Sequence, residues 1–297
     1  MNAYLLINLA VILLPFALSF DRRVVFFRQW RAVFPAIILV GVFYIYEDIL
    51  ATSNGNWSFA EEWVGSVTIL GLPPGEWLFF ITVPYACVFI YACVRAYIPE
   101  KTLHFPRFLF WMTSAFAALC VWIFRDQGYT VVVMSVFAVT SLLVGLLRPD
   151  LLSSRQFWTA LGISYGAFLV VNGVLTGVPV VLYGADAIWG IRVITIPLED
   201  FFYNFCLLSL NYLFFRIFLD GGLMKRTGPR SAPAGSETGR LEAGGLPDPS
   251  GRRGRTGDLP PWRSPSPRPG EMAGPRGLGS TDRPILAYKF MERDNGA

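Results

Sequence analysis

The chain has 297 residues, of which 54% are hydrophobic, with a mean hydropathy of +0.47 and a formal net charge of +4. This composition is too apolar for an ordinary soluble domain and indicates a polytopic membrane protein. The single histidine, His104, falls in a predicted loop, which excludes His-rich di-iron sites and argues against Ser-His-Asp or Cys-His catalysis inside the membrane.

The apolar residues form seven blocks of roughly 18–25 residues, the length that spans a bilayer. The predicted transmembrane helices cover residues 3–20, 33–51, 76–97, 107–125, 130–147, 157–175 and 198–219. The first block has no basic residue before it and no small-residue cleavage site, so we interpret it as a retained helix and not as a signal peptide. The predicted fold class is an all-α polytopic membrane protein with about seven transmembrane helices.

The charges of the loops predict an orientation. Lys and Arg are concentrated after the first, third and fifth predicted helices, whereas the loop 52–75 contains neither. Positively charged loops stay on the cytoplasmic side, so we expect the N-terminus outside and the C-terminus in the cytoplasm. The size and topology fit a bacterial inner membrane.

The last 77 or so residues differ from the rest of the chain. The segment 221–297 is rich in Pro, Gly, Ser and Arg and has 13 Lys/Arg against 8 Asp/Glu, a net charge of +5. Such a composition buries too little apolar surface to offset the entropy of ordering, so the sequence predicts a disordered cytoplasmic tail. Weak attachment to anionic lipid is the alternative to a plain solvated tail.

The chain contains an internal repeat. A shift of 124 residues aligns "DILATSNGNWSFAEEWVGSVTILGLPPGEWLFF" (48–80) with "NGVLTGVPVVLYGADAIWGIRVITIPLEDFFYN" (172–204) without a gap. The aligned polar positions include Asp48 with Asn172, Gly75 with Glu199, and Glu76 with Asp200. We expect two three-helix repeats of the same orientation. The predicted domains are 1–105 (first repeat), 106–127 (linking helix), 128–220 (second repeat) and 221–297 (tail).

Four carboxylates fall at one level of the predicted bundle. Asp48 ends the second helix, Glu76 begins the third, and Glu199 and Asp200 begin the seventh. Acids after proline at a helix start can simply complement the helix dipole. Asp48 has no such explanation, because an acid at a helix C-terminus opposes the dipole. A group of acids at a bilayer with few nearby cations therefore predicts a functional site.

Aromatic residues accompany these acids. Trp77 and Phe80 follow Glu76, and "FFY" (201–203) follows Asp200. An acid buried among apolar groups can keep its proton at neutral pH and act as a general acid, and aromatic faces stabilise cations. Without a metal-like Cys spacing, these groups fit protonation of an apolar alkene and passage through a carbocation. We expect no metal and no cofactor.

The same stretches resemble a known family. "NGVLT" with "PVVLYGADAIWGIRVITIPLEDFFYNF" is similar to the second-half signature of the integral-membrane lycopene cyclases of carotenoid biosynthesis, and "EDILATSNGNWSF" with "GLPPGEWLFF" resembles the first-half signature. The resemblance covers about residues 1–220 and implies heterodimer-type halves fused in one chain. It implies redox-neutral cyclisation of linear lycopene ends into β-ionone rings (γ-carotene and β-carotene), an isomerase of the intramolecular lyase type. Consistent with a flavin-independent cyclase, the chain has no G-x-G-x-x-G.

One position departs from the family pattern. The first half of the family usually has two adjacent acids, whereas this chain has Gly75 before Glu76. We therefore expect one composite site. Glu199 is predicted to protonate the substrate, Glu76 or Asp48 to remove a proton, and Asp200 to orient Glu199, with the acid and base roles open to exchange. The predicted substrate-binding residues are Phe201, Phe202, Tyr203, Trp77, Phe80, Asn172 and Thr176.

The expected partners are the bilayer and a carotenoid that arrives from the lipid, with association with other carotenoid-pathway enzymes and no nucleic acid. A cyclase of C50 carotenoids is the nearest alternative. A proton-coupled transporter would use the acids as a relay, but the prolines 73, 74 and 197 begin helices instead of breaking them. A retinal protein needs a lysine in its last helix, and none of Lys101, Lys225 and Lys289 lies in a predicted helix. A membrane scaffold leaves the acids unexplained.

Overall fold

The computed structural model describes residues 3–105 and 108–221. The helices are α1 (Ala3–Leu18), α2 (Trp30–Ser53), α3 (Glu61–Val64), α4 (Pro74–Tyr97), α5 (Phe108–Ile123), α6 (Gly128–Leu147), α7 (Pro149–Leu152), α8 (Arg155–Gly177) and α9 (Leu198–Asp220), with a 3₁₀ turn at Phe26–Gln29 before α2. The short strands are β1 (Trp57–Phe59), β2 (Val181–Tyr183), β3 (Arg192–Val193) and β4 (Ile196–Pro197). The predicted tail lies outside the described residues.

Long apolar helices dominate this part of the chain, as the sequence predicts. Helices α2, α4, α6, α8 and α9 are long and apolar enough to cross a membrane, whereas α1 and α5 are apolar but shorter. All seven lie where the sequence predicts transmembrane helices, so the all-α membrane class is confirmed. The count of seven spans stays a prediction, because 16 residues rise only about 24 Å along a helix axis.

Local sequence explains several helix ends. Pro74 stands in the first turn of α4, where its missing N–H costs nothing. Ser154 caps α8 by accepting a hydrogen bond from the Phe157 N–H at 3.1 Å. Gly221 ends α9 in the left-handed conformation that glycine adopts without strain.

Prolines also lie inside helices in this structure. Pro15 is within α1, Pro35 within α2 and Pro84 within α4. The prolines 73, 74 and 197, on which the sequence-based case against a transporter rests, are therefore not representative of the membrane helices. The positions of the prolines therefore do not separate a cyclase from a transporter.

Helices α4 and α9 form the centre of the bundle. In each, 61% of the most apolar 18-residue window is buried, against 39% in α2 and α6 and 22% in α8. Helix α1 packs on α4 and α6 packs on α9, while α2 packs on α9 and α8 packs on α4. This packing pattern is unchanged when α1 is exchanged with α6, α2 with α8, and α4 with α9.

Strands β1 and β2 pair antiparallel over one end of the bundle. The facing residues are Trp57 with Tyr183, Ser58 with Leu182, and Phe59 with Val181. The 124-residue shift takes position 57 to 181 and position 59 to 183, so it exchanges the two outer pairs and retains the middle one. A pseudo-twofold axis through the middle pair produces this register. The domain boundaries given above stay a prediction.

The opposite end of the bundle is held by ion pairs. Arg148, which follows α6, is fully buried, and its guanidinium contacts Asp150 at 3.0 Å and Asp220 at 2.8 Å. Arg216 contacts the same Asp220 oxygen at 3.1 Å. These contacts join the C-terminal ends of α6 and α9, at the opposite end of α9 from Glu199 and Asp200.

Candidate active site

The four predicted acids are buried together at the end of the bundle covered by β1 and β2. The exposed fraction is 1% for Asp48, 7% for Glu76, 0% for Glu199 and 4% for Asp200. Asp48 lies near the end of α2, Glu76 in the first turn of α4, and the other two in the first turn of α9. Buried carboxyl groups are costly unless they are hydrogen-bonded or protonated, so their partners decide what they can do.

The first cluster belongs mainly to the first half of the chain. The Tyr4 hydroxyl, at the start of α1, donates to Glu76 Oε2 at 2.5 Å. The carboxyl groups of Glu76 and Asp48 lie next to each other, and the Tyr203 hydroxyl lies 3.4 Å from Asp48 Oδ1. Two adjacent buried carboxyl groups repel each other when both are ionised, so this arrangement favours retention of one proton by the pair.

The second cluster surrounds Asp200. Tyr129, at the start of α6, donates to Asp200 Oδ1 at 2.6 Å, while Asn172 of α8 and Tyr183 of β2 donate to Asp200 Oδ2 at 2.7 and 2.8 Å. Burial, together with the charge of Asp200, raises the pKa of Tyr183 above its ordinary value, so Tyr183 keeps its proton at neutral pH. Three donors around one carboxyl favour its ionised form.

The two clusters are equivalent under the repeat. Each has a tyrosine from the start of the first helix, an acid from the first turn of the third helix, and an Asp or Asn from the end of the second helix. The equivalent positions are Tyr4 and Tyr129, Glu76 and Asp200, and Asp48 and Asn172. The first cluster therefore has two carboxyl groups, whereas the second has one carboxyl and one amide.

Both clusters face a single cavity of about 120 Å³. Its polar lining includes Asp48, Glu76 and Asp200, and its aromatic lining includes Tyr4, Trp57, Phe59, Phe79, Tyr129, Phe168, Tyr183 and Tyr203. The cavity continues along α4 between α1 and α8, where the lining is almost entirely aliphatic. Among its described lining residues there is no Lys or Arg, so the negative charge of the carboxylates is available to a cationic ligand or intermediate.

Glu199 occupies a different position from the other acids. It does not line the cavity, and its Oε1 accepts hydrogen bonds from the Thr130 hydroxyl at 2.9 Å and from the Trp189 backbone N–H. Its other oxygen, Oε2, is buried and has no hydrogen-bond partner among the described residues. These contacts tie the start of α9 to α6 and to the loop before β3.

Two of the seven predicted substrate-binding residues, Tyr203 and Asn172, line the cavity, and the other five do not. Phe80 packs against Tyr44, and the Trp77 indole donates to the Ile69 carbonyl. The other three predicted residues, Phe201, Phe202 and Thr176, do not line the cavity. Phe201 packs on Phe168, Phe202 packs on Phe137 and Trp189, and Thr176 contacts Thr195 at 2.8 Å.

Sequence analysis missed the two tyrosines that contact the acids from α1 and α6. Tyr4 and Tyr129 are 72 and 71 residues away from their partners along the chain. A signal was available, because the two tyrosines begin equivalent helices and lie 125 residues apart, close to the shift of the repeat. The sequence alignment did pair Phe59 with Tyr183, but it gave no reason to place Tyr183 on Asp200.

Comparison with protein families identifies the chain. The family model described as lycopene cyclase matches residues 1–94 and 126–218. The protein belongs to the lycopene cyclase family. The two matched segments begin 125 residues apart and end 124 apart, the same spacing as the internal repeat, and together they contain both acid clusters. No curated protein and no solved structure matches the chain.

Proposed function

We propose that the protein is a lycopene β-cyclase, which forms β-ionone rings from the linear ends of lycopene and gives γ-carotene and then β-carotene. The observation that carries the proposal is that three carboxyl groups, two of them adjacent to each other, face one apolar, aromatic-lined cavity. Membership of the lycopene cyclase family supports carotenoid cyclisation. The ring type, mechanism and residue roles are part of the proposal.

The Asp48–Glu76 pair is the proton donor in this proposal. The adjacent pair retains one proton in this proposal, because no Lys or Arg among the described lining residues of the cavity stabilises two carboxylates. Tyr4 donates to Glu76, so Glu76 is the partner that is more easily left ionised and Asp48 is the one that carries the proton. Delivery of this proton to C2 of the terminal C1=C2 bond leaves a cation at C1.

Ring closure then needs no further reagent. The C5=C6 double bond attacks C1, the C1–C6 bond forms, and the positive charge moves to C5. The carboxylates and the faces of the lining aromatic rings stabilise these cations electrostatically. One proton enters and one leaves, so the reaction is a redox-neutral isomerisation.

Asp200 is the proton acceptor in this proposal. Its three hydrogen-bond donors, Tyr129, Asn172 and Tyr183, favour the carboxylate. Removal of the C6 proton by Asp200 gives the C5=C6 bond of the β ring. This assignment differs from the sequence-based expectation, in which Glu199 was the acid and Asp200 oriented it, because Asp200 faces the cavity and Glu199 does not.

The membrane setting completes the proposal. The substrate is a hydrocarbon and reaches the cavity from the lipid phase. By the positive-inside rule the N-terminus and the acid clusters lie near the outer face of a bacterial inner membrane and the tail lies in the cytoplasm. Association with other carotenoid-pathway enzymes would deliver the substrate without its crossing water.

A cyclase of C50 carotenoids is a second candidate from the same superfamily. In either case the end group that is cyclised would enter the cavity of about 120 Å³ that contains the acids. The two candidates therefore share the site and its chemistry, and they differ in the substrate that is offered.

The first test is pigment chromatography in a bacterium that accumulates lycopene. We expect the wild-type chain to convert lycopene to one- and two-ringed products. Glu76→Gln removes one carboxyl of the pair that retains the proton, and general acid–base catalysis contributes roughly 10²–10⁴-fold to a rate. We expect this variant to retain less than about 1% of the conversion at equal membrane abundance.

Glu199→Gln is the matched control. Glu199 is also a buried acid in the first turn of a central helix, but it faces Thr130 and the loop before β3. We expect this variant to cyclise lycopene at close to the wild-type rate. An inactive Glu199→Gln variant together with an active Glu76→Gln variant would reverse the assignment of the catalytic acids. Conversion of a C50 precursor, without conversion of lycopene, would favour the C50 cyclase.

A further inference from the structure

A second groove is present on the other side of the bundle. It lies between α2, α6 and α9, has a volume of about 460 Å³ and is almost entirely apolar. Its single carboxyl is Glu47, and none of Asp48, Glu76 and Asp200 lines it. The cavity that contains the acids instead extends between α1, α4 and α8, and we call this extension the access arm.

The second groove and the access arm are equivalent under the repeat, because α2, α6 and α9 correspond to α8, α1 and α4. Helices α2 and α8 end 124 residues apart, at Ser53 and Gly177. Val11 of the arm and Val136 of the groove are 125 apart, as Tyr4 and Tyr129 are. Five further equivalent pairs line the two sides: Ala86 and Leu210, Ile90 and Phe214, Ser164 and Val40, Ala167 and Phe43, and Val171 and Glu47.

The side chains of most of these pairs differ in one direction. In the first four pairs the residue of the access arm is the smaller one. The cavity that includes the arm is nevertheless the smaller space, about 120 Å³ against about 460 Å³ for the second groove. Because interiors are close-packed, a few extra carbon atoms at such positions are enough to fill a narrow channel, so the small side chains keep the arm open.

A buried tyrosine closes the second groove from the acids. Tyr44 is equivalent to Phe168, which lines the cavity, but Tyr44 is only 1% exposed. Its ring packs edge-on to Tyr203, with the ring centroids 4.9 Å apart, and against Phe80 at 5.8 Å. These contacts lie between the α2 residues of the groove and the acid clusters.

The access arm, in contrast, reaches both the acids and the outer surface of the bundle. Its α4 lining runs from Glu76 to Ile90, which is about 21 Å along a helix axis. On α8, Ala167 is exposed and Ser164 is buried, so the arm opens sideways between α1 and α8 at a point within the apolar span. A linear isoprenoid chain can lie along this arm with its end group at the acids.

We propose that the access arm is the route by which the linear hydrocarbon end reaches the acids, and that Ala86 and Ala167 determine which chains can enter. This inference rests on the proposed function. One arm serves one composite acid site, so only one end of the carotenoid is cyclised at a time. The one-ringed product must leave the arm and return with its other end first before a second ring can form.

The test exchanges side chains between equivalent positions. Ala86→Leu and Ala167→Phe place the residues of the second groove into the access arm. We expect each to lower lycopene conversion at least about fivefold, because overpacking a close-packed site is costly. Ala167 lines the arm at its exposed mouth, so Ala167→Phe disturbs core packing less than Ala86→Leu and tests the arm even if Ala86→Leu folds poorly.

The matched controls are Leu210→Ala and Phe43→Ala, which enlarge the second groove by the reverse changes. We expect both to keep the wild-type conversion at equal membrane abundance. An active Ala167→Phe variant, or loss of conversion in a normally folded Phe43→Ala variant, would contradict the role of the access arm as the substrate route. Either result would leave the cyclase proposal intact. Failure of the wild type itself to convert any linear carotenoid would instead overturn the proposed function.

Discussion

The two halves of this protein build the same cluster from different residues. In the first half, Tyr4 donates to Glu76, which lies beside the Asp48 carboxyl; in the second, Tyr129 and the amide of Asn172 both donate to Asp200. The difference of Asp against Asn near the end of the second helix of each repeat leaves the first cluster with two carboxyl groups and the second with one. In the proposed mechanism, this divergence gives the two equivalent clusters complementary roles as acid and base.

The largest effect is expected from the variant that removes the difference between Asp48 and Asn172. Asp48→Asn gives the first cluster the amide of the second and takes away the proton that the pair retains in the proposed mechanism. We expect roughly a 10²–10⁴-fold loss of cyclisation, the usual contribution of a general acid. The rate of lycopene loss in membranes of matched protein content measures the effect.

The reverse exchange sharpens the test. The double variant Asp48→Asn with Asn172→Asp moves the carboxyl pair to the second half. We expect no recovery over Asp48→Asn alone, because the access arm fixes the direction in which the chain meets the two clusters. Recovery to wild-type rates would show that the clusters are interchangeable and that the direction of the substrate does not matter.

A second difference between the halves lies at Gly75, which is equivalent to Glu199. A Cβ at position 75 would lie 2.6 Å from Cδ1 and 2.7 Å from Cγ of the Tyr4 ring, closer than real atoms approach. Gly75→Ala therefore displaces Tyr4 and its hydrogen bond to Glu76. Hydrogen bonds to charged groups contribute about 1.5–3 kcal/mol, so we expect roughly a 10- to 100-fold loss of conversion.

Gly173→Ala is the control for this variant. Gly173 is next to Asn172 near the same end of the bundle, and no atom lies within 4 Å of an added Cβ. We expect it to behave as wild type in rate and in thermal stability. Equal losses in both glycine variants would attribute the effect to helix backbone changes and not to the close approach of Tyr4.

The same glycine shows how far the sequence alone could lead. Gly75 departs visibly from the family pattern and indicates one composite site. The sequence does not show that its missing side chain leaves space for the Tyr4 ring. The long helices followed from apolar block length, and the burial of Asp48, Glu76 and Asp200 at one end followed from the repeat. The tyrosines of α1 and α6 that donate to Glu76 and Asp200 are more than 70 residues away along the chain, and no local pattern encodes such contacts.

Glu199 illustrates the remaining limit. Adjacent residues of a helix point about 100° apart, so Glu199 and Asp200 cannot face the same cavity equally. The sequence placed both acids at the helix start but did not give the rotation of α9, which depends on packing against α2, α4 and α6. The rotation brings Asp200 to the cavity and Glu199 to Thr130.

A smaller effect is expected from the third donor to Asp200. Tyr183 is equivalent to Phe59, so Tyr183→Phe gives the second half the residue of the first. It removes one of three hydrogen bonds to the carboxylate, and the other two remain. We expect a loss of about 1 kcal/mol, or roughly a fivefold lower rate. Because Tyr183 keeps its proton at neutral pH, this loss should be the same at about pH 7 and pH 8; a loss that disappears at pH 8 would contradict a donor role.

The smallest effect is expected at Tyr203, which is equivalent to Phe79. Its hydroxyl lies 3.4 Å from Asp48 Oδ1, at the long limit of a hydrogen bond, so Tyr203→Phe should lower conversion by no more than about threefold. Its ring also packs on Tyr44 with centroids 4.9 Å apart, so Tyr203→Ala removes the packing that closes the second groove. If the phenyl ring is what matters, the Phe variant stays active while the Ala variant does not; equal losses in both would instead assign the hydroxyl of Tyr203 a direct part in holding the proton of Asp48.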